Sequence, residues 1–172
     1  MFTALLFWIA GCASVISKQV RKQVSSDVTF AEVLKDPEHY KDQMIVLSGI
    51  IIDVKNTNEE TLLEVLQSPA GFRGEPKDID KSEGRFLALG DRYLDTKTYT
   101  KGRSITVAGT VQEKRILPLG KTEYTYPLIR VNEIYLWPII RRHHPYSYYS
   151  YNRYYWWRRS LLHQRRLPRK SR

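Results

Sequence analysis

Hydrophobic and polar positions along the chain predict a mainly β protein with five strands. Residues 103–113 alternate in the manner of a half-buried strand, with Ile105, Val107 and Val111 on one face. The other segments are rich in β-branched and aromatic residues and lie between turn-forming residues, although Pro127 predicts an edge position or a bulge in the last one. The predicted strands are residues 44–54, 61–67, 85–89, 103–113 and 123–137.

A short helix is predicted before the first strand. Thr29 stands three residues before Glu32, which is the spacing of a capping box, and the Asp36-Pro37 pair ends the helix. Gly49 and Gly109 fall in the middle of predicted strands, where glycine lets a strand bend around a barrel corner. The pattern therefore favours a small five-stranded barrel similar to an OB-fold, with an open two-layer sandwich as the alternative.

Residues 1–10 are almost entirely apolar and are followed by Gly11 and Cys12. A run of this length is typical of a signal peptide and is too short to cross a bilayer. It could also be a buried strand or short helix with an incidental cysteine. The sequence Ile9-Ala10-Gly11-Cys12 resembles a bacterial lipobox. That resemblance implies cleavage after Gly11 and attachment of acyl chains such as palmitate to Cys12.

Two details of the N-terminal region bear on this interpretation. No Lys or Arg occurs before Lys18, whereas a signal peptide opens with basic residues. Ala13 stands where an Asp would resemble an inner-membrane retention signal, so analogy with lipoprotein sorting points to the outer membrane. Residues 13–28 are polar and weakly patterned, which predicts a flexible tether between the anchor and the domain.

The formal charge of +10 on these 172 residues is concentrated near the C-terminus. Residues 134–172 carry ten basic residues and no acidic residue, whereas the rest of the chain is neutral. The composition, with 42% hydrophobic and 27% charged residues, excludes collagen-like, coiled-coil and wholly disordered classes. Cys12 is the only cysteine, so an internal disulfide and a cysteine-based zinc site are excluded.

The C-terminal tail, residues 139–172, interleaves tyrosines and tryptophans with arginine pairs. Such a segment cannot bury a core of its own, so we expect it to be disordered or weakly helical in solution. Tyr and Trp prefer a membrane interface and Arg binds phosphate bidentately, so the tail is expected to contact anionic lipid or lipopolysaccharide phosphates. The same composition suits single-stranded nucleic acid, but the lipobox argues against that partner. The candidate contact residues are Arg141, Arg142, Arg153, Trp156, Trp157, Arg158 and Arg159.

The sequence contains no convincing catalytic or cofactor motif. There is no Gly-x-Ser-x-Gly, no phosphate-binding loop with a Gly-Lys-Ser/Thr ending, and the lone cysteine fits the lipobox. His39 is interpreted as a surface or capping residue, and His143, His144 and His163 lie among arginines that repel cations. We therefore expect a protein that is not an enzyme and that holds neither a metal nor a cofactor.

Polar and aromatic residues near the predicted strand ends are the remaining candidates for a site. In one interpretation Asp95 caps a turn, the arginines pair with acidic residues and the tyrosines pack with their hydroxyls outward. In the other they line a shallow groove on one face, where OB-type barrels bind extended ligands. The candidate groove residues are Arg85, Asp95, Tyr99, Lys101, Arg103, Tyr124 and Tyr126.

Nine short motifs between residues 28 and 138 resemble, in order, the starvation-inducible Slp family of outer-membrane lipoproteins of Gram-negative bacteria. The resemblance implies an outer-membrane lipoprotein linked to starvation and envelope stress, with no known enzymatic activity. The motifs are Tyr40-Lys41-Asp42-Gln43, Gly49-Ile50-Ile51-Ile52-Asp53-Val54-Lys55-Asn56, Thr61-Leu62-Leu63-Glu64-Val65, Gly84-Arg85-Phe86-Leu87-Ala88, Tyr93-Leu94-Asp95, Tyr99-Thr100-Lys101-Gly102-Arg103, Val107-Ala108-Gly109-Thr110-Val111, Tyr124-Thr125-Tyr126-Pro127 and Leu136-Trp137-Pro138.

The sequence thus predicts four parts: a signal peptide (1–11), a lipidated tether (12–28), the barrel domain (29–138) and the basic aromatic tail (139–172). The expected function is that of a non-catalytic lipoprotein anchored to the outer membrane by its acyl chains. The alternative is a periplasmic binding module for an oligosaccharide, a peptidoglycan fragment or a polyanion, acting through the barrel groove or the tail.

Overall fold

The computed structural model describes residues 14–25, 28–57 and 59–139. These residues form five strands, two short α-helices and one 3₁₀ turn at Ile79–Lys81. The helices are α1 (Lys18–Arg21) and α2 (Phe30–Lys35). The strands are β1 (Met44–Asn56), β2 (Thr61–Gln67), β3 (Arg85–Gly90), β4 (Ser104–Leu119) and β5 (Thr122–Leu136).

The five strands close into a barrel in the order β1-β2-β3-β5-β4, which is the OB-fold arrangement predicted from the sequence. All neighbouring strands are antiparallel except β3 and β5, which pair in parallel only from Leu87–Leu128 to Leu89–Arg130. This short parallel seam closes the barrel and excludes the open sandwich. The interior is filled by apolar side chains, among them Ile51, Leu63 and Phe86, which are 0–1% exposed.

Gly49 and Gly109 lie where strands approach each other too closely for a side chain. A Cβ atom on Gly49 would overlap the carbonyl oxygen of Leu66, and one on Gly109 would overlap that of Arg130. β1 pairs with β4 over residues 44–50 and with β2 over residues 49–56, so its change of partner falls at Gly49. Both glycines therefore lie at a close approach of two strands, and Gly49 also lies where β1 changes partner, as expected for a barrel corner.

Helix α2 closes one end of the barrel. The Thr29 hydroxyl accepts the Glu32 N–H and the Glu32 carboxylate accepts the Thr29 N–H, which confirms the predicted capping box. Phe30 and Val33 are buried, and the Phe30 ring lies 6.0 Å from the ring of Phe86. The helix ends at Lys35, directly before the Asp36-Pro37 pair, as predicted.

Strands β4 and β5 extend beyond the barrel as a hairpin arm, residues 112–127. The alternating pattern predicted that β4 ends at residue 113, but the strand continues to Leu119 because its polar residues pair with β5. Pro127 lies opposite Lys114 beside a register shift, which confirms the predicted bulge. The arm brings Leu117 and Tyr126 onto the outer face of β3, where they pack with Leu87 in a second apolar cluster.

Residues 14–25 differ from the flexible tether that their polar sequence predicts, because they pack against the barrel. Ile16 is 5% exposed, and the backbone N–H of Ser17 donates to the Glu133 carboxylate at 2.9 Å. Val24 forms a parallel bridge with Met44, whose carbonyl oxygen accepts the N–H of Ser25 at 2.9 Å. The segment contacts the barrel through one buried isoleucine and a few hydrogen bonds, and such contacts leave no periodic pattern in the sequence.

Candidate functional site

Three of the predicted groove residues, Arg85, Tyr124 and Tyr126, meet around the carboxylate of Glu64. The Arg85 Nη1 atom donates to Glu64 Oε1 at 2.7 Å, and the Tyr126 hydroxyl donates to the same oxygen at 3.2 Å. The Tyr124 hydroxyl accepts the backbone N–H of Arg85 at 3.0 Å. The two tyrosine rings pack edge to face at 4.7 Å. Sequence reasoning missed Glu64, the residue at the centre of this cluster.

Strand geometry explains why these side chains converge. Residues of β2 alternate between the interior and the outer face, so Glu64 lies outside between Leu63 and Val65, both of which are buried. Glu64 is paired with Leu87, and Arg85 is two residues earlier on the same face of β3. The signal in the sequence was an acidic residue between two apolar residues of a strand. Such a residue faces outward, and if other parts of the chain cover it, it needs a partner of opposite charge on a neighbouring strand.

The Glu64–Arg85 pair is partly shielded from water, with 22% and 30% of the two side chains exposed. The hydrogen bond to Glu64 raises the pKa of Arg85. Burial raises the pKa of Tyr126, and the neighbouring Glu64 carboxylate adds to that increase. The negative charge of Glu64 is thus balanced by Arg85, and burial favours the protonated form of the Tyr126 phenol.

The hairpin arm covers the outer face of β2 and β3 at this cluster. A cavity of about 20 Å³ remains between the arm and the barrel, which is room for about one water molecule. OB-type barrels bind extended ligands on this same face. In this conformation the face is occupied by the chain's own side chains. The residues lining the cavity are Asp53, Lys55, Leu62, Glu64, Leu87 and Leu117.

The other groove candidates lie in the loop between β3 and β4, and they are Asp95, Tyr99, Lys101 and Arg103. The Asp95 carboxylate accepts the N–H of Lys97 and the hydroxyl of Thr98, so it caps a turn. Tyr99 packs against the barrel core. In the part of the chain that the structure describes, no hydrogen bond joins this loop to the Glu64 cluster. The structure therefore does not bring the predicted groove residues together as one site.

One interpretation expected Arg103 to pair with an acidic residue. Among the described residues it instead donates to two backbone carbonyl oxygens. Its Nη1 atom donates to the carbonyl oxygen of Thr98 at 3.0 Å and its Nη2 atom to that of Trp137 at 2.9 Å. The first bond lies within the β3–β4 loop, and the second joins that loop to the residue that follows β5. Arg103 is therefore a structural clamp in this conformation.

A cleft that the sequence did not indicate opens where β3 and β5 separate beyond their short parallel seam. Its volume is about 260 Å³. Asp91 lines it and forms an exposed ion pair with Arg130 at 2.9 Å. The cleft depends on where two distant strands part, so no local pattern predicts it. The remaining lining residues are Leu63, Gly90, Arg92, Leu94, Val131, Asn132 and Ile134.

The predicted lipidation and tail residues lie outside the described residues. These are Gly11, Cys12, Arg141, Arg142, Arg153, Trp156, Trp157, Arg158 and Arg159. Within residues 14–25, 28–57 and 59–139, no group of three or more His, Cys, Asp or Glu side chains is placed to hold a metal ion. Over the same ranges, none of the helices has the length and apolar character that a membrane span requires.

Comparison with known proteins identifies similar sequences. The family model described as the outer membrane lipoprotein Slp family matches residues 9–162. The outer membrane protein Slp of Escherichia coli (strain K12) is 27% identical over 139 residues, which cover 80% of this chain and 73% of that protein. The uncharacterized lipoprotein YeaY of the same strain is 22% identical over 134 residues, covering 78% and 69% of the two chains.

Solved structures with a similar backbone share little sequence with this chain. A small single-stranded DNA-binding protein from Streptomyces coelicolor is 14% identical with a TM-score of 0.36, covering 55% of this chain and 94% of that one. A putative aspartyl-tRNA synthetase from Leishmania major Friedlin is 12% identical with a TM-score of 0.39, covering 66% and 22%.

Proposed function

The chain belongs to the outer membrane lipoprotein Slp family, and from that premise we propose that it is a non-catalytic lipoprotein held in the outer membrane by acyl chains on Cys12. The family match is the observation that carries the proposal. The matched range begins at residue 9, so it includes the whole of Ile9-Ala10-Gly11-Cys12. In this proposal Gly11 is the last residue removed and Cys12 becomes the acylated N-terminus of the mature chain.

Acyl chains supply the physical anchor in this proposal. Each buried CH₂ group contributes about 0.8 kcal/mol to membrane binding, and one acyl chain gives only marginal attachment whereas two or more hold a protein stably. A diacylglyceryl group on the Cys12 thiol and a third chain on its amine meet that requirement. The anchor then explains how a chain with a neutral body associates with the membrane.

We assign the protein a role in maintaining the envelope under starvation or stress. The assignment of a structural role rather than a catalytic one is supported by the Glu64 cluster. Its carboxylate accepts hydrogen bonds from both Arg85 and Tyr126, and the hairpin arm lies over it. A catalytic carboxylate or phenol would instead need access to substrate.

The test is the intact mass of the protein extracted from membranes, compared with a Cys12→Ser variant. We expect the wild-type mass to show loss of every residue before Cys12 and the gain of three acyl chains. Cys12→Ser should keep its N-terminal residues, carry no acyl chain and leave the outer-membrane fraction. Ala13→Ser, which alters the next residue and keeps it small, serves as the matched control and should behave as the wild type. An unmodified wild-type mass contradicts the proposal.

The tail is proposed to make a second contact, with anionic lipid or lipopolysaccharide phosphates. Its arginines and Trp156-Trp157 have the chemistry of a phosphate-bearing interface. In the Cys12→Ser chain, which would lack the acyl anchor, deleting residues 139–172 should weaken binding to vesicles containing phosphatidylglycerol. Replacing Arg158 and Arg159 by lysine keeps the charge and loses the bidentate geometry, and should give an intermediate effect. Unchanged binding of the deleted chain refutes the tail contact.

The alternative function, a binding module for an oligosaccharide, a peptidoglycan fragment or a polyanion, is favoured by the cleft between β3 and β5. Its volume of about 260 Å³ approaches that of small-ligand pockets. Asn132→Trp would fill the cleft from its exposed rim. Calorimetry with muropeptides, using the wild type and this variant, distinguishes the two functions. Binding that Asn132→Trp abolishes supports the module, and absence of binding supports the structural role.

A further inference from the structure

The loop formed by residues 70–76 is a small hairpin that projects from the barrel. Ala70 and Pro76 form an antiparallel bridge, and the backbone N–H of Gly71 donates to the Glu75 carbonyl at 2.6 Å. Gly74 adopts a φ of +94°, which favours glycine, and its N–H donates to the Gly71 carbonyl at 3.0 Å. The tip of the hairpin is therefore a closed, internally bonded turn.

Two buried hydroxyl groups fasten this hairpin to the barrel. The carbonyl oxygen of Gly74 accepts from Ser48 Oγ and from Thr106 Oγ1, both at 2.6 Å. Ser48 and Thr106 are 2% and 0% exposed. The indole N–H of Trp137 donates in turn to Thr106 Oγ1 at 2.9 Å. The position of the tip is thus set by the backbone of Gly74, and Phe72 takes no part in fastening it.

Phe72, at the tip, is 80% exposed, the highest value among the large apolar side chains of the described residues. Arg73 follows it, and its guanidinium carbon lies 6.0 Å from the centre of the Trp137 ring. A single exposed apolar residue needs no explanation by itself. Here it stands on a fixed hairpin beside an arginine and a tryptophan, a combination typical of the boundary between lipid and water.

The N-terminal segment brings the proposed anchor to this hairpin. The backbone N–H of Val15 donates to the carbonyl oxygen of Arg73 at 3.5 Å. Val15 is three residues after Cys12, and three residues of chain span at most about 11 Å. Acylation at Cys12 would therefore hold the hairpin within reach of the headgroup layer, which is about 5–8 Å thick on each side of a bilayer.

Basic residues that follow Val15 in the chain fit the same partner. Lys18, Arg21 and Lys22 are exposed and belong to α1 or directly follow it. Near an anionic bilayer each such residue contributes favourably to binding, and the effect falls off within a Debye length. They follow Cys12 by six, nine and ten residues, in the segment that joins the proposed anchor to the barrel.

We propose that the 70–76 hairpin, with Phe72 at its tip, inserts into the lipid headgroup layer, so that the barrel docks on the membrane by a defined face. The proposal rests on the acylation of Cys12 proposed above. The occupant of this surface is the lipid bilayer to which the acyl chains are attached. The docked N-terminal segment makes the orientation fixed, since a protein on a flexible tether would present every face to the membrane.

The test measures membrane depth at the hairpin in the acylated chain. Cys12 is the only cysteine and its sulfur would carry the lipid, so Phe72→Cys introduces the one free thiol for a nitroxide label. Tyr93→Cys and Ile116→Cys are the matched controls, because these apolar residues are 62% and 57% exposed in the β3–β4 loop and the hairpin arm. Each labelled chain is placed in vesicles of phosphatidylethanolamine and phosphatidylglycerol, and its accessibility to oxygen and to an aqueous nickel chelate is recorded.

We expect the label at residue 72 to favour oxygen and both control labels to favour the nickel chelate. A second label at Lys77, which is exposed in the segment following the hairpin, leaves Phe72 in place. Adding Phe72→Ser to Lys77→Cys should make the label at residue 77 more accessible to the nickel chelate, whereas adding Ile116→Ser should not. Since Phe72 is exposed, Phe72→Ser should leave the thermal midpoint unchanged.

The outcomes separate this inference from the proposal beneath it. An acylated chain whose label at residue 72 is as aqueous as the controls overturns the docking face and leaves the lipoprotein intact. Protection from nickel without a gain in oxygen accessibility means that protein covers the hairpin, and also overturns it. A chain whose mass shows no acyl group refutes the lipid anchor first, and the docking face with it.

Discussion

The two hydroxyls that fasten the 70–76 hairpin provide the sharpest test of the described contacts. Ser48→Ala removes one donor to the Gly74 carbonyl, and Thr106→Val removes the other while keeping the shape of the side chain. Both hydroxyls lie 2.6 Å from the same oxygen. Either single variant leaves this carbonyl with one donor, and the double variant leaves it with none.

The expected losses of unfolding free energy follow from the number of donors that remain for the Gly74 carbonyl. Ser48→Ala loses one net hydrogen bond, at a cost of about 1 kcal/mol of unfolding free energy. Thr106→Val also deprives the partly buried Trp137 indole of its acceptor, so its cost is about 1–2 kcal/mol. The double variant should exceed the sum of the two by about 1 kcal/mol, because an unsatisfied carbonyl that faces a buried site pays its full desolvation cost.

The assay is urea unfolding of the purified chain in detergent, followed by circular dichroism at pH 7. An unchanged m value in all four proteins establishes that only stability has altered. Each 1 kcal/mol corresponds to about 2–4 °C in the thermal midpoint for a chain of this length, which gives a second measurement. If the double variant loses the sum of the two single losses of unfolding free energy, within about 0.3 kcal/mol, the two hydroxyls do not share the Gly74 carbonyl as acceptor. The account of how the hairpin is held is then wrong.

Two further predictions concern the barrel itself. Gly109→Ala should cost about 2–3 kcal/mol in urea unfolding, because the new Cβ atom meets the backbone of Arg130, whereas Gly102→Ala should cost about 1 kcal/mol from its φ of +86° alone, since nothing lies within 4 Å of its Cβ. Tyr126 has a raised pKa, so its contribution to stability is complete below the unfolded value of 10.0 and is lost as pH rises through the folded value. Tyr126→Phe should therefore lose less stability than the wild type between about pH 9 and pH 11.

Each of these predictions has an outcome that would contradict it. Equal costs for Gly109→Ala and Gly102→Ala would mean that β4 and β5 can separate to admit a methyl group at the bulge. Parallel losses of stability with pH in the wild type and in Tyr126→Phe would mean that the phenol is as solvated in the folded protein as in the unfolded one. The other tyrosines titrate in both proteins, so only the difference between the two curves is informative.

The elements of the fold were largely predictable because they depend on local chemistry. The β2 bounds of Thr61–Gln67 were predicted without error, and β1 begins at residue 44 as expected. The capping box at Thr29 was visible as a spacing of three residues. The family was also predictable, since its motifs occur in order along the chain. Hydrophobic period and capping depend on residues a few positions apart, and the order of the motifs is read directly along the chain.

The candidate site was much less predictable. The groove residues were chosen for their type and for their closeness to strand ends, and the structure separates Arg85 and Tyr126 from Asp95. Glu64 was not among them, and an acidic residue in a strand is usually solvated. It became central only when β3 brought Arg85 beside it and the arm brought Tyr126 above it. Those contacts join residues 21 and 62 positions apart.

By itself, the sequence determined which segments are strands, where helix α2 begins, that the chain resembles one lipoprotein family, and where the excess positive charge lies. Tertiary structure alone decided that the barrel closes through the short β3–β5 seam, that the arm covers the outer face, and that residues 14–17 lie on the barrel beside Arg73. The physical reason is how far apart in sequence the interacting residues are. Periodicity and caps are set by residues a few positions apart. Closure of the barrel, covering of its outer face by the arm and packing of the N-terminal segment depend on contacts between distant segments, which form only when the barrel has folded.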